Sequence, residues 1–202
     1  MPNLSKTDQM RTIRDAVLNF TQSPLYTYRT ENHYFPVIGE GNHEADIVFI
    51  GEAPGKNEAE QARPFCGASG RVLEEMLDSI SLNRKDVYVT NIVKDRPPDN
   101  RDPSPEEIRL YSPFLDAQLQ IIQPSVIATL GRFSMKYILD KYDLPDASQT
   151  ITALHGKAVQ ATAPYGNVHI VPLYHPAVAL YSGSSKKTLL EDMQTLVPFI
   201  TK

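Results

Sequence analysis

A run rich in glycine, proline and glutamate follows an apolar segment in the first third of the chain. Residues 51–70 read GEAPGKNEAEQARPFCGASG and come directly after the run IVFI at residues 47–50. They include four glycines, two prolines, three glutamates and the single cysteine, Cys66. Glycine lets backbone amides approach a ligand closely. The run therefore predicts a binding loop with carboxylates beside it, and a tight turn without a chemical role is the alternative.

A phosphate-binding P-loop is the first chemistry to compare with this run. That motif requires four residues between its glycines, followed by Lys and then by Ser or Thr. Here three residues separate Gly51 from Gly55, and Lys56 is followed by Asn57. Both the spacing and the residue types differ from the motif, so the run does not favour a P-loop.

An asparagine stands inside the second apolar segment, residues 87–93. Asn91 lies among β-branched residues, although Asn is disfavoured in strands. Its amide offers a donor and an acceptor, so it can accept from uracil N3–H and donate to O4. Cytosine presents the inverse pattern and would leave buried polar groups unpaired, which such a site rejects strongly. Asn91 is a candidate base-reading side chain, and a solvent-facing or capping Asn is the alternative.

A histidine followed by proline ends the last apolar segment, where residues 173–177 read LYHPA. Pro176 cannot donate to a strand ladder and so fixes the exit of the chain. His175 could donate a hydrogen bond to a developing oxyanion, and removing such a donor typically costs about 10²–10³-fold in rate. A purely structural histidine is the alternative.

Other catalytic and metal-binding patterns do not match. The five histidines and one cysteine show no zinc-ligand spacing. Residues 67–70, GASG, are one residue short of the G-x-S-x-G nucleophile elbow. The run RPPDNRDP at residues 96–103 reads mostly as a rigid surface connector, in which Arg96 and Arg101 could touch phosphate.

The length and composition of the chain are those of an ordinary globular protein, whose fold would have to position these residues. A length of 202 residues favours one α/β domain covering residues 1–202, and 41% hydrophobic with 22% charged residues suits a normal core and surface. The net charge of −4 does not indicate nucleic-acid binding, yet a local basic surface can serve on an acidic protein. No apolar run approaches the roughly 18 residues of a membrane span. The first six residues have no apolar signal core, so we expect a cytoplasmic protein.

Four apolar segments alternate with helical patterns along the chain. Strands are predicted at residues 46–50, 87–93, 125–130 and 168–173. Helices are predicted at residues 6–19, 71–80, 104–122, 132–140 and 187–200, and residues 20–44 are mostly irregular. The helix at 104–122 is the best marked, because Ser104 and Glu107 match a capping box and Pro105 stands at the first helical position.

This alternation predicts parallel strands with helices on both faces of the sheet. Such sheets bind ligands at the carboxyl ends of their strands. The glycine-rich run, Asn91 and His175 each follow or end a predicted strand. We therefore expect them to meet at one edge of the sheet.

The motifs taken together resemble those of uracil-DNA glycosylases of the family 4 type. The resemblance covers about residues 23–196 and consists of GEAPGKNE, RPFCGASG, VTNIVK, RPPDNRDPSPEE, ATLG, LHGK and YHPAVAL in the family's order. Each motif alone is weak, while the set is specific. The resemblance implies a three-layer α/β/α sandwich with a central four-stranded, mostly parallel sheet. It also implies an enzyme that flips uracil out of DNA and hydrolyses its N-glycosidic bond, leaving an abasic site.

The resemblance implies roles for three residues that bind the base. Phe65 matches the aromatic residue that stacks on the uracil ring. Asn91 matches the uracil-reading amide, and His175 matches the histidine of the HPA motif, expected near uracil O2. The loss of one pocket group would then weaken either base binding or stabilisation of the leaving base.

The resemblance also places residues beside the attacking water. Gly51, Glu52 and Ala53 lie where the family lines the uracil and the water, and Glu58 matches a second acid near the pocket. Classical glycosylases have Asp where this chain has Ala53, so a general base is missing there. Catalysis would be mostly electrostatic, and either Glu52 or Glu58 could orient the water.

Two departures from the family pattern stand out. Family members typically hold a [4Fe–4S] cluster on four cysteines, and the matching positions here are Phe20, Ser23, Asp95 and Tyr111. A cluster requires thiolates, so we predict that no cluster and no other metal is bound, with packing holding these loops instead. Ala62 stands where the family usually has Gly, which leaves the path of that loop open.

The expected partner is uracil-containing DNA, single- or double-stranded, bound by a monomer, with no membrane involved. Leu180 or Tyr181 would wedge into the base stack, since both follow the HPA motif. A solvated loop is the alternative for residues 177–187. The phosphate contacts predicted from the sequence are Ser69, Arg71, Lys186 and Lys187.

Three other functions stay open on the sequence. A related glycosylase could act on hypoxanthine or other deaminated bases, although Asn91 favours uracil. A second possibility is a protein that binds uracil DNA without turnover or traps it covalently. Covalently trapping relatives carry an extra basic loop, and no such insertion stands between Lys94 and Ser125. The third is a domain that lost activity with its cluster, against which the retained pocket residues argue.

Overall fold

The computed structural model describes residues 4–200, and residues 1–3 and 201–202 of the predicted domain lie outside this range. One sheet runs through the described chain. Its strands are β1 (Glu40–Gly41), β2 (Ile47–Gly51), β3 (Tyr88–Asn91), β4 (Val126–Leu130), β5 (Val159–Ala163) and β6 (Gly166–Leu173). The order is β1-β3-β2-β4-β6-β5. The four central strands are parallel to one another, and both edge strands pair antiparallel.

The prediction of four strands was wrong for the edges of the sheet, which has six strands within residues 4–200. The four predicted strands are the parallel core. β1 has only two residues and lies in the segment expected to be irregular. β5 reads VQATA, with exposed and buried positions in alternation, and pairs with β6 across a tight turn. Neither edge strand has an apolar run, because each needs only one neighbour and one buried face.

Helices occupy both faces of the sheet. They are α1 (Lys6–Leu18), α2 (Tyr26–Glu31), α3 (Lys56–Gln61), α4 (Ala68–Asp78), α5 (Pro105–Ile122), α6 (Arg132–Lys141), α7 (Ile151–Leu154) and α8 (Gly183–Met193). The helix predicted at 187–200 begins earlier and gives way to a 3-10 turn over Gln194–Phe199, where Pro198 cannot continue an α-helix. Within residues 4–200, no helix is both long and apolar enough to cross a membrane.

The amino end of α5 forms as its sequence predicts. Ser104 Oγ accepts a hydrogen bond of 3.2 Å from the Glu107 N–H, and Glu107 Oε2 accepts one of 2.8 Å from the Ser104 N–H. Pro105 begins the helix, where its missing N–H costs no hydrogen bond. This reciprocal cap fixes where the loop before α5 ends, and that loop proves to border the pocket described below.

Alternating side chains of the strands divide the core into two clusters. Val48 and Ile50 of β2 face α1, α5 and α6, whereas Ile47 and Phe49 face α4 and α8. All four side chains are almost completely buried. A strand that is apolar on both faces has to lie between two layers of helices. The three-layer α/β/α sandwich is therefore confirmed.

Parallel strands bring their carboxyl ends to one edge of this sandwich. Gly51 and Asn91 are direct neighbours in the β2–β3 ladder, at the last position of each strand. β6 ends at Leu173, two residues before His175. Residues far apart in sequence are therefore neighbours at the edge where α/β sheets bind ligands.

Candidate active site

A pocket with a volume of about 500 Å³ opens at the carboxyl edge of the sheet. Loops after β2, β3 and β6 form its walls, so the three segments singled out in the sequence converge there. The residues predicted for the site that line this pocket are Glu52, Ala53, Glu58, Phe65, Ser69, Asn91, His175, Leu180 and Tyr181.

Three of the predicted phosphate contacts do not line the pocket. Arg71 is exposed on α4. Lys186 forms an ion pair with Glu75 of α4, and Lys187 lies 3.7 Å from Glu191 one helical turn away. Both lysines belong to the first two turns of α8 rather than to a loop. Both are surface groups, and each already lies near a carboxylate.

Gly51 lies in close contact with two of the pocket side chains, Asn91 and Phe65. A Cβ at this position would lie 2.3 Å from Oδ1 of Asn91 and 2.7 Å from Cζ of Phe65. Atoms in real proteins essentially never approach that closely, so any larger residue would displace one of the two side chains. Glycine is needed here for close approach.

Phe65 is presented to the pocket by a tightly held loop. Its backbone has a positive φ of 48°, a conformation that is uncommon for a residue with a side chain. Glu58 Oε1 accepts hydrogen bonds from the N–H groups of Cys66 at 3.0 Å and Gly67 at 2.8 Å. Arg84 donates to the carbonyl oxygen of Pro64. These contacts on either side of Phe65 fix the ring's position.

The loop path at Ala62, which the sequence left open, involves a left-handed backbone. Ala62 caps the carboxyl end of α3 with φ 55° and ψ 28°, and its N–H donates to the carbonyl oxygen of Glu58. Such C-terminal positions favour Gly because a Cβ is strained there. The chain keeps this turn with alanine at a cost in stability.

His175 has one ring nitrogen engaged by the backbone. Its Nδ1 accepts a hydrogen bond of 3.2 Å from the N–H of Ala177. Burial lowers the pKa of His175 to about 4, and Glu58 opposes this shift weakly. The ring centroid lies 5.7 Å from that of Phe65. A neutral ring whose Nδ1 accepts must carry its proton on Nε2, so His175 is a neutral donor.

Glu52 follows β2 at the pocket wall. Burial raises the pKa of Glu52 to about 7, the negative charge of Asp102 adds to the rise, and Arg132 opposes it. Arg132 in turn forms an ion pair of 2.5 Å with Asp102. A carboxyl group whose pKa lies near neutral pH can exchange a proton with water under ordinary conditions.

The loop between β3 and α5 is a part of the pocket that the sequence did not reveal. Pro97, Asn100, Arg101 and Asp102 line the pocket. The reading of residues 96–103 as a surface connector was wrong for Arg96, which is 8% exposed. Runs of proline, asparagine and aspartate predict a turn but carry no information on what the turn packs against.

Arg96 and Arg101 have internal partners instead of free guanidinium groups. Arg96 donates to Asn100 at 2.8 Å and to the hydroxyl groups of Tyr28 and Tyr34, each at 3.0 Å. Arg101 makes a two-pronged ion pair with Glu107 at the start of α5. Both arginines therefore hold the pocket loop in place.

The four positions that match the cluster cysteines of the resembling family converge at one buried place. The Tyr111 hydroxyl donates to Asp95 Oδ2 at 2.5 Å and lies 2.7 Å from Ser23 Oγ. The ring of Phe20 packs edge-on against Tyr111, with centroids 5.6 Å apart. A carboxylate, a phenol, a hydroxyl and a phenyl ring supply no thiolate, so these residues do not fit an iron–sulfur cluster.

An arginine completes this buried network. Arg29 lies 3.1 Å from Asp95 Oδ1, and the two side chains are 6% and 0% exposed. The Arg29 guanidinium also donates to the carbonyl oxygens of Val17 at 3.2 Å and Leu18 at 2.8 Å. Burial raises the pKa of Asp95, and its bonds to Tyr111 and Arg29 oppose that rise. The expected packing of Phe20 against Tyr111 is present, and ionic and polar contacts that were not expected hold these loops as well.

Metal-ligating side chains do not cluster elsewhere in the described part of the chain. Among residues 4–200, no group of three or more histidine, cysteine, aspartate and glutamate side chains is arranged to hold a metal ion. Cys66 is a free thiol in the loop after Phe65, where its backbone N–H donates to Glu58.

Comparison with known proteins agrees with this geometry. The model of the uracil DNA glycosylase superfamily matches residues 38–195, which include every strand from β1 to β6. A type-4 uracil-DNA glycosylase of Sulfurisphaera tokodaii is 42% identical over 190 residues, covering 94% of this chain and 84% of its own. One of Archaeoglobus fulgidus is 42% identical over 169 residues, covering 84% and 83%. One of Saccharolobus solfataricus is 39% identical over 188 residues, covering 93% and 84%.

Proposed function

The chain belongs to the uracil DNA glycosylase superfamily, and on this premise we propose that it removes uracil from DNA and leaves an abasic site. One observation carries the proposal. An aromatic ring, an amide and a neutral histidine, Phe65, Asn91 and His175, line one pocket at the carboxyl edge of the sheet. Together they supply a stacking surface, a base-reading edge and a donor for a leaving anion.

The uracil would be flipped out of the base stack, which costs a few kcal/mol. Stacking on Phe65 recovers roughly 1–3 kcal/mol of that cost. Asn91, which is 2% exposed, would pair with uracil N3–H and O4 through its side-chain amide. A buried amide penalises cytosine, because the exchanged donor and acceptor would stay unpaired.

The glycosidic bond C1′–N1 then breaks, with its electron pair remaining on the base. A water oxygen bonds to C1′; one water proton stays on the new hydroxyl group and the other neutralises the uracil anion. We assign stabilisation of that anion to the Nε2–H of His175 and to backbone amides around Gly51 and Ala53. These groups are oriented before the reaction, so no reorganisation is needed when the charge develops.

The two candidate glutamates have different surroundings, which favours different roles. Glu58 Oε1 is occupied by the Cys66 and Gly67 N–H groups, so we propose that Glu58 positions the Phe65 loop. Glu52 lines the same pocket and has its pKa near 7, so we propose that its carboxylate orients the attacking water.

DNA would be held at the rim of the pocket. Tyr181 is 88% exposed and Leu180 is 47% exposed, and both line the pocket. Exposed apolar side chains next to a base pocket suit a wedge that fills the gap left by the flipped base. Ser69, Arg71, Lys186 and Lys187 remain the proposed phosphate contacts. We also propose that the protein acts as a monomer.

We further propose that the protein works without an iron–sulfur cluster. The buried network of Arg29, Asp95, Tyr111 and Ser23 supports this, because it fills the place where the family's thiolates would lie. Iron and sulfide analysis of protein purified without oxygen tests it, and stoichiometric iron would refute the idea. The one cysteine is a free thiol, which suits the reducing cytoplasm proposed as the location.

Single-turnover cleavage of a labelled oligonucleotide with one uracil tests the activity. The substrate is offered single-stranded and opposite G or A, beside one with hypoxanthine. Release of free uracil, with large losses in Asn91→Ala and His175→Ala, is the expected result. Tight uracil-dependent binding without release would indicate a binding protein instead of an enzyme. Faster release of hypoxanthine than of uracil would indicate a different substrate base.

A further inference from the structure

A buried lysine, Lys94, contacts the main chain of the proposed base-reading residue Asn91 and takes no part in the steps proposed above. Lys94 is 0% exposed and stands three residues after Asn91, where β3 ends. Its Nζ donates hydrogen bonds to Thr90 Oγ1 at 2.8 Å, to the Asn91 carbonyl oxygen at 2.7 Å and to Gln118 Oε1 at 2.6 Å. None of these three partners carries a charge, so the Lys94 ammonium group does not form an ordinary buried ion pair with them.

The neighbouring hydrogen bonds select the protonated form of Lys94. Thr90 Oγ1 donates to the Ile38 carbonyl oxygen at 2.7 Å, so it is an acceptor toward the lysine. Gln118 Nε2 donates to the same carbonyl at 2.9 Å and to the Tyr88 hydroxyl at 3.1 Å, which turns Oε1 toward the lysine. Three acceptors therefore face Nζ, and only an ammonium group has three N–H donors.

Burying the charge of Lys94 costs free energy of folding, which argues that the charge has a function. Burial lowers the pKa of Lys94 well below its ordinary value, because the charged form loses its hydration, and the three acceptors around Nζ oppose this by binding the ammonium form. A buried charge normally has a partner of opposite sign. Here the compensating negative charge would be that of the uracil anion, which forms at the side chain of Asn91 while Lys94 bonds to the main-chain carbonyl oxygen of the same residue.

We propose that Lys94 is a positioning residue that acts through Asn91, fixing its main chain and directing a positive potential at the leaving base. The inference rests on the proposed glycosylase function and names a further group for its bond-breaking step. As the C1′–N1 electron pair moves onto the base, the attraction to the ammonium grows. In a water-poor interior this attraction is much less screened than in water. The charge is present beforehand, so it favours the transition state over the bound substrate.

A purely structural lysine is the competing explanation. Gln118 belongs to α5 and Lys94 follows β3, so the same contacts join the helix to the sheet. A structural role predicts that loss of Lys94 slows every substrate alike. An electrostatic role predicts a loss that depends on how much help the leaving anion needs.

The test compares uracil with 5-fluorouracil as leaving bases in single-turnover cleavage at saturating enzyme. Fluorine withdraws electrons and stabilises the anion, so this base needs less assistance. Lys94→Met, which removes the charge but keeps an apolar chain of similar length, should slow uracil release by about 10²-fold, the lower end of the cost of removing a donor to a developing anion. The loss for 5-fluorouracil should be several-fold smaller, so that the ratio of the two rates changes.

Gln118→Met is the matched control, because it removes one hydrogen-bond partner and leaves the ammonium in place. Its two rates should fall by the same factor, whatever happens to its melting temperature. Lys94→Gln, measured in the same way, replaces Lys94→Met should that protein not fold. Equal losses for both bases in the Lys94 variants overturn this inference alone. A parent protein that releases neither base overturns the proposed function, and this inference with it.

Discussion

Nδ1 of His175 accepts a hydrogen bond of 3.2 Å from the backbone N–H of Ala177, two residues further along the chain. The contact lies within the turn that Pro176 begins. It fixes both the tautomer and the direction of the ring, leaving Nε2–H as the free donor. Because burial also lowers the pKa of His175 to about 4, the ring stays neutral through the range where the enzyme would act.

His175→Ala should lower the single-turnover rate of uracil release by about 10²–10³-fold, since it removes one preorganised donor to the leaving anion. The loss should be the same from pH 6 to pH 9, because the pKa of about 4 puts the titration of His175 outside this window. A loss that changes steeply near pH 6.5 would mean that a charged histidine acts instead.

Glu52→Gln should remove the pH dependence of cleavage near neutrality. If the Glu52 carboxylate orients the water, the parent rate rises with pH and levels off above about 7, the pKa of Glu52. The glutamine variant should be slow and flat over the same range, whereas His175→Ala should be slow but keep the rise. Rate profiles of both variants from pH 5 to pH 9 make the comparison.

The same substitution should change how stability depends on pH. The native Glu52 keeps its proton up to a pKa of about 7, whereas the unfolded chain releases it near the ordinary value of 4.5. Between these values the native state binds more protons, so the free energy of unfolding falls as pH rises. The free energy of unfolding of Glu52→Gln minus that of the parent should therefore be more positive at pH 8 than at pH 5. Urea unfolding at both pH values measures this, and an unchanged difference would contradict the raised pKa.

Asp95→Ala should destabilise the protein by about 3–5 kcal/mol, because it leaves the buried guanidinium of Arg29 without its counter-charge. Asp140→Ala is the control, since Asp140 pairs with Lys136 on the surface and such pairs contribute about 0–1 kcal/mol. Urea unfolding at pH 7 compares the two. Similar small losses of unfolding free energy in both variants would show that the Arg29–Asp95 network does not stabilise these loops in place of a cluster.

Ala62→Gly should stabilise the protein by about 1 kcal/mol, because Ala62 has a positive φ of 55° in which its Cβ is strained. Ala153→Gly is the opposite control. Ala153 is exposed in the short helix α7, where glycine costs about 1 kcal/mol relative to alanine. Thermal unfolding should move the two melting temperatures in opposite directions, and a fall for both would contradict the strained turn.

Replacing Lys186 and Lys187 together by Ala should reduce the salt dependence of DNA binding, since each phosphate contact releases counterions. The slope of log K against log salt should become shallower by about 1 for each lysine that contacts DNA. Lys136→Ala on α6, at the opposite face of the sheet, should leave the slope unchanged. An unchanged slope in the double variant would place the DNA elsewhere.

Local patterns were enough for the central part of the fold. The segments at 46–50 and 125–130 were predicted as strands from β-branched residues, and β2 and β4 lie there. The capping box of Ser104 and Glu107 gave the start of α5. These features depend on residues a few positions apart, so the sequence displays them directly. The edge strand β5 does not, because its pairing with β6 stabilises a segment of weak propensity.

The sequence by itself determined which residue types are available to the site: a glycine-rich run, an aromatic after proline, an asparagine in a strand and a histidine before proline. Only the tertiary structure decided how they divide the work. It turned Glu58 toward backbone N–H groups and Glu52 toward the pocket, and it placed Lys94 behind Asn91 with three uncharged acceptors around its Nζ. It also joined Arg29 to Asp95 across 66 residues of chain. Burial and long-range contacts set charge, tautomer and partner, and these arise only when distant segments pack together.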